Sequence, residues 1–243
     1  IMMSKKSFDG KRDESPHISQ KSKLKEHIDI REIKWTENQQ KIIDAILDKD
    51  NYVVMVDSPS GTGKSLLGCY AGLKLLNDKK LAEFLYIRTI AESASKGLGS
   101  LPGEAHLKFE PFTFPLKDKL DELLKTNDIN KLFNEEKIRA IPVNYLRGAS
   151  FRVSYMLADE CQNFSKNELI VLLTRVAQYS RLVLIGDSFQ SDINGKSGFR
   201  DIFNTFSDEE SQKNGIKTFT LGEEDIKRSE ICKFIVKKLK IYH

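Results

Sequence analysis

At 243 residues, 40% hydrophobic and 30% charged, the chain has the material for one packed domain with appendages, or at most two small domains. A formal net charge of +4 is compatible with a polyanionic partner but falls short of the dense basic stripe that would establish one. Cys69, Cys161 and Cys232, odd in number and far apart, exclude a disulfide framework and a C-x-x-C metal pair; with no apolar stretch of membrane-span length and no apolar leader, the expectation is a soluble, cytoplasmic protein with reduced thiols.

Residues 1–34 read as a polar, basic N-terminal tail. From about Ser4 to His27 the chain is rich in charged residues and serine and lacks periodic apolar positions, so it buries too little to offset its ordering entropy. Its Lys5, Lys6, Lys11, Arg12, Lys21, Lys23 and Lys25 read as a solvated terminal charge run, with contact to nucleic acid as the alternative. Residues 35–243 read as a single domain in which strands alternate with helices. Trp35, the only tryptophan, is read as a packing anchor.

The first strand candidate, Tyr52 to Val56, runs into Ser58-Pro59-Ser60-Gly61-Thr62-Gly63-Lys64-Ser65 and then a helix-forming run. Strand, loop and helix in that order are the context of a phosphate-binding P-loop. Gly61 and Gly63 are free to adopt the left-handed turn that lets successive backbone N–H groups converge on phosphate oxygens. Lys64 would reach the β and γ phosphates, and Ser65 would offer its hydroxyl to Mg²⁺ at the first turn of the helix. Residues Ser58 through Ser65 are therefore the expected ATP-binding set. Ser58 stands where the pattern G-x-x-x-x-G-K-S/T has its first glycine, and a small residue there costs little.

Further strand candidates are Phe84 to Ile90, Arg139 to Tyr145, Val153 to Ala158, Leu182 to Ile185 and Ile216 to Leu221, mostly short apolar runs suited to a sheet covered on both faces. Between them, Lys96 to Pro115 carries three glycines and three prolines and is expected to be a functional loop excursion rather than a long helix. Leu169, Leu172, Leu173 and Val176 recur at helical spacing, as do Ile231, Phe234, Ile235 and Leu239; each set is expected to lay an apolar stripe on the sheet. The alternation predicts a doubly wound α/β fold with a mainly parallel sheet.

Tyr155-Met156-Leu157-Ala158 ends in Asp159-Glu160, two carboxylates at the C-terminal end of a buried strand, where open α/β sheets build their sites. This is a Walker B arrangement, with Asp159 holding Mg²⁺ and Glu160 activating the attacking water. A helix N-cap would explain such a pair by itself; its company with a P-loop favours catalysis. Leu184-Ile185-Gly186-Asp187-Ser188-Phe189-Gln190 repeats the pattern. Gln190 is placed to sense the γ-phosphate and Asp187 to anchor the loop, with a plain strand-end turn as the alternative.

Asp159-Glu160-Cys161-Gln162-Asn163 together with Gly186-Asp187-x-x-Gln190 resembles motifs II and III of superfamily 1 helicases, and resembles the PhoH-like ATPase family more closely still. Gly99-Ser100-Leu101-Pro102-Gly103, then Lys108, Pro111, Pro115 and Asp118, is similar to that family's G-x-L-P-G segment. Tyr145-Leu146-Arg147-Gly148 with Phe151 is similar to its aromatic-x-R-G signature, and Glu224-Asp225-Ile226-Lys227-Arg228-Ser229 to its E-D-x-x-R-S element. Leu173-Thr174-Arg175 and Ser197-Gly198 fit as well, so the likeness spans about Trp35 to Val236. Departures are Ser58, Ser60 for a usual alanine, Ser65 for threonine, and Thr89 where an Arg-Pro pair is common after Arg88.

The resemblance implies a RecA-like P-loop NTPase that hydrolyses ATP with Mg²⁺ and has RNA-directed activity. Thr36-x-x-Gln39 resembles a helicase Q-motif, which would put the Gln39 amide on the adenine edge; Gln40 is an equally available neighbour, and an exposed helical glutamine is the alternative. Arg147, Arg175, Arg181 and Arg228 are candidates for stabilising the transferring phosphate, Arg228 being favoured. With one motor core in the chain, the arginine would come from a neighbour in a ring-like homo-oligomer such as a hexamer. A surface pair of Arg228 with Glu224 is the bland alternative. Arg88, Lys96, Lys108 and Arg147 would line a path for single-stranded nucleic acid, RNA before DNA. An ATP-dependent conformational or assembly switch without motor activity is the second function class. A small-molecule kinase is weaker, because Glu160 suits water activation.

Overall fold

In the computed structural model, residues 24–89, 105–146, 151–177, 179–188, 190, 197–227 and 230–239 are described, with backbone alone for 105–112, 223, 232, 233, 236, 237 and 239. Their elements are α1 (Glu37–Leu47), β1 (Val53–Asp57), α2 (Lys64–Asn77), β2 (Glu83–Arg88), α3 (Ala105–Leu123), α4 (Thr126–Asn134), β3 (Ile138–Pro142), β4 (Ser154–Ala158), α5 (Lys166–Leu173), β5 (Arg181–Gly186), α6 (Phe199–Thr205), α7 (Glu209–Lys213), β6 (Ile216–Thr220) and α8 (Glu230–Leu239). The six strands form one sheet in the order β3-β2-β4-β5-β1-β6, and every pairing is parallel. This is the doubly wound α/β architecture expected from the alternation. The chain's four most apolar strand runs are buried throughout or nearly so, because helices cover both faces of a parallel sheet.

Pleating divides β4 between two cores. Tyr155 and Leu157 face the layer containing Leu67, Leu73, Phe84 and Ile43, whereas Met156 and Ala158 face Leu169, Leu172, Leu184 and Phe199. Helix α2 lies close to the first layer because Gly68 and Gly72 lack side chains. A Cβ at 68 would stand 2.7 Å from Leu157 Cδ1, and one at 72 would stand 2.5 Å from Tyr155 Cε1. The space is used by Tyr155, whose hydroxyl donates to the Gly68 carbonyl at 2.7 Å. Helix α1 begins at a capping box formed by Thr36 and Gln39 and buries Ile42, Ile43 and Ile46.

Four expectations differ from the structure. Leu24 and Ile28, assigned to the polar tail, are buried, and Ile28 exchanges hydrogen bonds with the Asn77 side chain at 3.0 and 2.8 Å. Two apolar residues four apart are too few to register as periodicity. Helix α3 runs from Ala105 through Pro111 and Pro115, where a loop was expected. The prolines each remove one amide donor, but burial of Leu116, Leu120 and Leu123 outweighs the loss of two backbone bonds. Residues 96–104 of that segment lie outside the described ones. The Arg139 to Tyr145 strand stops at Pro142 and continues as a 3₁₀ turn over Val143–Leu146.

The fourth difference is at α8. Its Ile231, Phe234 and Ile235 are 63%, 56% and 49% exposed, so this stripe does not lie on the sheet. Helical spacing specifies that a face is apolar; it does not specify what covers that face. Among the described residues no helix is long and apolar enough to cross a membrane.

Candidate active site

Strand order brings the site together. Since β5 lies between β1 and β4, the segments leaving these three parallel strands emerge side by side at one edge of the sheet. The P-loop leaves β1, with Gly61 at φ 90° and Gly63 at φ 71°, the left-handed region in which residues with a Cβ are strained. Gly63 is also the N-cap of α2, so the helix's unpaired amides open directly onto the loop.

Ser58, Thr62 and Lys64 are buried. The Ser58 and Thr62 hydroxyls meet at 2.9 Å, and Thr62 Oγ1 donates to the Pro59 carbonyl at 3.0 Å. Ser58 therefore supplies a loop contact that the usual glycine lacks. Its amide also donates to Gly186 O at 3.0 Å, tying the P-loop to the end of β5. Lys64 Nζ donates to the carbonyls of Ser58 at 3.1 Å and Pro59 at 3.4 Å. Those are contacts an ammonium can exchange for phosphate oxygens. Pro59 is buried and Ser60 half-buried within the loop.

Gln39 requires a correction. The residue is wholly buried; its Nε2 donates to Thr62 O at 2.8 Å and its Oε1 accepts from Thr36 N at 2.9 Å. An adenine edge has no access to this amide, because the P-loop backbone and the α1 cap already engage it. Gln39 supports the loop rather than facing a base. The neighbouring Gln40 is exposed and donates to Asp44 at 2.8 Å.

The two residues assigned to Mg²⁺ are in contact, Ser65 Oγ donating to Asp159 Oδ1 at 3.0 Å. Among the described residues no group of three or more His, Cys, Asp or Glu could hold a metal unaided. One hydroxyl and one carboxylate fit Mg²⁺, which completes its shell with water and nucleotide phosphates. The other Asp159 oxygen accepts from the buried Tyr86 hydroxyl at 2.5 Å, a partner 73 residues away that no motif announced. Burial, with the Asp159 carboxylate beside it, pushes the Tyr86 phenol well above its ordinary range, so it stays protonated and donates. Replacing Tyr86 with Phe keeps the ring and strands a buried carboxylate oxygen, a loss of about 1–3 kcal/mol. A melting temperature lower by roughly 5 °C is expected; an unchanged melt would show that this bond contributes nothing.

Glu160 sits at φ 59° and ψ 43°, a left-handed conformation costing a non-glycine residue about 1–3 kcal/mol. Its carboxylate accepts from Gln162 Nε2 at 2.5 Å, and Gln162 Oε1 accepts from Asp187 N at 3.0 Å. Gln162 thus bridges the carboxylate pair to the segment after β5, a role the sequence motif contained but did not reveal. Beyond β5, Ser188 N donates to Asp57 Oδ1 at 2.9 Å and Gln190 N to Asp187 O at 3.0 Å, which fixes a turn there. Asp187 is buried and Gln190 is exposed at the same sheet edge.

The arginine candidates separate by position. Arg181 begins β5, at the opposite end of the strand from Gly186, and Arg175 precedes Val176, which pairs with Phe151 ahead of β4. Both lie at the end of the sheet opposite the P-loop of the same chain. Arg228, Arg147 and Lys96 lie outside the described residues. Lys108 lies in α3, with its side chain outside them. Arg88 ends β2 at the same edge as the P-loop.

A family model described as PhoH-like protein matches residues 32–240. The chain is 30% identical over 203 residues to a PhoH-like protein of Synechocystis sp., covering 83% of this chain and 60% of that one. It is 32% identical over 167 residues to a PhoH-like protein of Mycobacterium tuberculosis, covering 68% of this chain and 47% of that one. The chain thus spans about half the length of these relatives. Among solved structures, the large terminase of a thermophilic bacteriophage superimposes with a TM-score of 0.52 at 9% identity, covering 85% of this chain and 50% of that one. At that identity the likeness is one of fold.

Proposed function

The chain belongs to the PhoH-like protein family of P-loop NTPases, and from that membership we propose that it hydrolyses ATP with Mg²⁺ and couples turnover to single-stranded nucleic acid, RNA before DNA. The observation that carries the hydrolytic half is the contact of Ser65 with Asp159 beside a Glu160 held in a strained conformation. Ser65 and Asp159 would hold Mg²⁺, which supplies charge neutralisation across the β and γ phosphates. The P-loop amides and Lys64 would bind the phosphates. Glu160, oriented by Gln162, would take the proton of the attacking water, and Gln190 would contact the γ-phosphate. Arg228 is proposed as the arginine that stabilises the transferring group, supplied by a neighbour in a homo-oligomeric ring. The cytoplasm, where the buried Cys69 and Cys161 thiols stay reduced, is the proposed compartment.

Support for the nucleic-acid half comes from the outer edge of the sheet. Arg88 ends β2, and beside β3, the next strand outward, lies a cavity of about 840 Å³ lined by Lys117, Phe133, Arg139 and Tyr145 among others. Aromatic rings beside cations suit unpaired bases and their phosphates, each stacked base contributing about 1–3 kcal/mol. Phosphate release measured with and without single-stranded RNA or DNA tests the coupling. Stimulation by RNA, with affinity falling as salt rises at a log–log slope near 0.7 per phosphate contact, is the expected result. ATP turnover indifferent to both polymers would favour the second reading, an assembly switch. That reading has an observation of its own in the exposed apolar stripe of α8.

A further inference from the structure

We propose that Asp225 is a positioning residue for nucleotide binding, acting through Thr36, Gln39 and the Lys227 amide to fix the peptide planes of Gly61 and Thr62. The inference rests on the nucleotide-binding reading above and names residues that reading does not use. Asp225 is buried although it carries a charge. One oxygen accepts from Thr36 Oγ1 at 2.6 Å; the other accepts from Asn38 Nδ2 at 3.2 Å and Gly222 N at 3.3 Å. These three donors satisfy the carboxylate and join positions 189 apart in sequence.

From this anchor two arms reach the P-loop. On one side, two residues beyond Asp225, Lys227 N donates to Gly61 O at 3.3 Å. The Lys227 side chain secures that stretch by lying 5.3 Å over the Trp35 ring and donating to Lys34 O. On the other side, the Thr36 hydroxyl that donates to Asp225 accepts from Gln39 N at 3.2 Å, and Gln39 Nε2 donates to Thr62 O at 2.8 Å. Two successive P-loop carbonyls are therefore held from outside the loop.

Peptide planarity converts this grip into a directional effect. In a trans peptide the C=O of one residue and the N–H of the next point in opposite directions. Fixing Gly61 O and Thr62 O outward turns the amides of Thr62 and Gly63 inward, toward the space where P-loop amides meet phosphate. Gly63 at φ 71° has little intrinsic preference to hold that orientation unaided. Asp225 is thus a support that lets a flexible loop present ordered donors before the ligand arrives, which lowers the ordering cost of binding.

The test compares Asp225→Ala, Thr36→Val and Thr36→Ser with the parental chain, using Mg·ADP affinity, steady-state ATP kinetics and thermal melts. Asp225→Ala and Thr36→Val are expected to raise the ADP dissociation constant and the ATP KM about tenfold, with kcat changed less than about threefold, because the amides serve ground and transition states alike. Thr36→Ser keeps the hydroxyl and should restore parental KM. The double variant should be no worse than Asp225→Ala alone, since both act through one chain of bonds. Should Asp225→Ala fail to fold, Thr36→Val, which removes one link and no buried charge, decides alone. Folded variants with parental KM, or with kcat falling at unchanged KM, would overturn the assignment while leaving nucleotide binding intact. A parental chain that binds no Mg·ADP would overturn both.

Discussion

Lys64→Ala is expected to abolish nucleotide binding, with Mg·ATP affinity falling about a hundredfold or more. The P-loop contributes one side-chain cation, and Lys64 Nζ is already buried against the Ser58 and Pro59 carbonyls from which it would reach the phosphates. Two charge-assisted hydrogen bonds of about 1.5–3 kcal/mol each correspond to at least that factor. Alanine also leaves both carbonyls without this donor, so loop order falls together with charge. Isothermal titration with Mg·ATP measures the effect. Tight binding by Lys64→Ala would place the phosphates elsewhere.

Glu160→Gln is expected to separate binding from chemistry. The amide keeps the shape of the side chain, and its oxygen still accepts from Gln162 Nε2, so the geometry around Asp187 persists. Proton acceptance is lost. Hydrolysis should fall about 10² or more while Mg·ATP affinity stays within a fewfold of parental. Turnover at the parental rate would transfer the base to another residue, and collapse of binding would make Glu160 structural.

The fold was legible where one physical rule acts locally. Apolar runs between turn residues marked all six strands; the four inner ones, β1, β2, β4 and β5, are covered on both faces and carry their burial in their own sequence, whereas the edge strands β3 and β6 are only partly buried. The P-loop and Asp159-Glu160 were legible for a related reason: phosphate and metal chemistry require particular residue types at fixed spacing. What escaped depends on pairings distant in the chain. Tyr86 reads as one more apolar strand residue until the register of β2 against β4 brings it to Asp159. Asp225 reads as part of an acidic turn until the fold brings it to Thr36.

Local rules also competed. Pro111 and Pro115 argued against a helix, and burial of the leucines that follow them prevailed. The left-handed backbone of Glu160 has no sequence signature, since glycine, asparagine and aspartate are its usual occupants. A glycine at 160 would relieve the strain and remove the carboxylate, so keeping glutamate there carries a cost in stability that the proposed chemistry explains.

The most direct measurement is phosphate release from ATP by the parental chain with single-stranded RNA present, titrated with Mg²⁺ from a chelated start. Turnover should be absent in chelator and should rise to saturation as Mg²⁺ is added. In Glu160→Gln it should stay lower by about 10² or more at every Mg²⁺ concentration, while that variant still binds Mg·ATP. Phosphate release that ignores Mg²⁺, or that continues undiminished in Glu160→Gln, would contradict hydrolysis at the Ser65, Asp159 and Glu160 site.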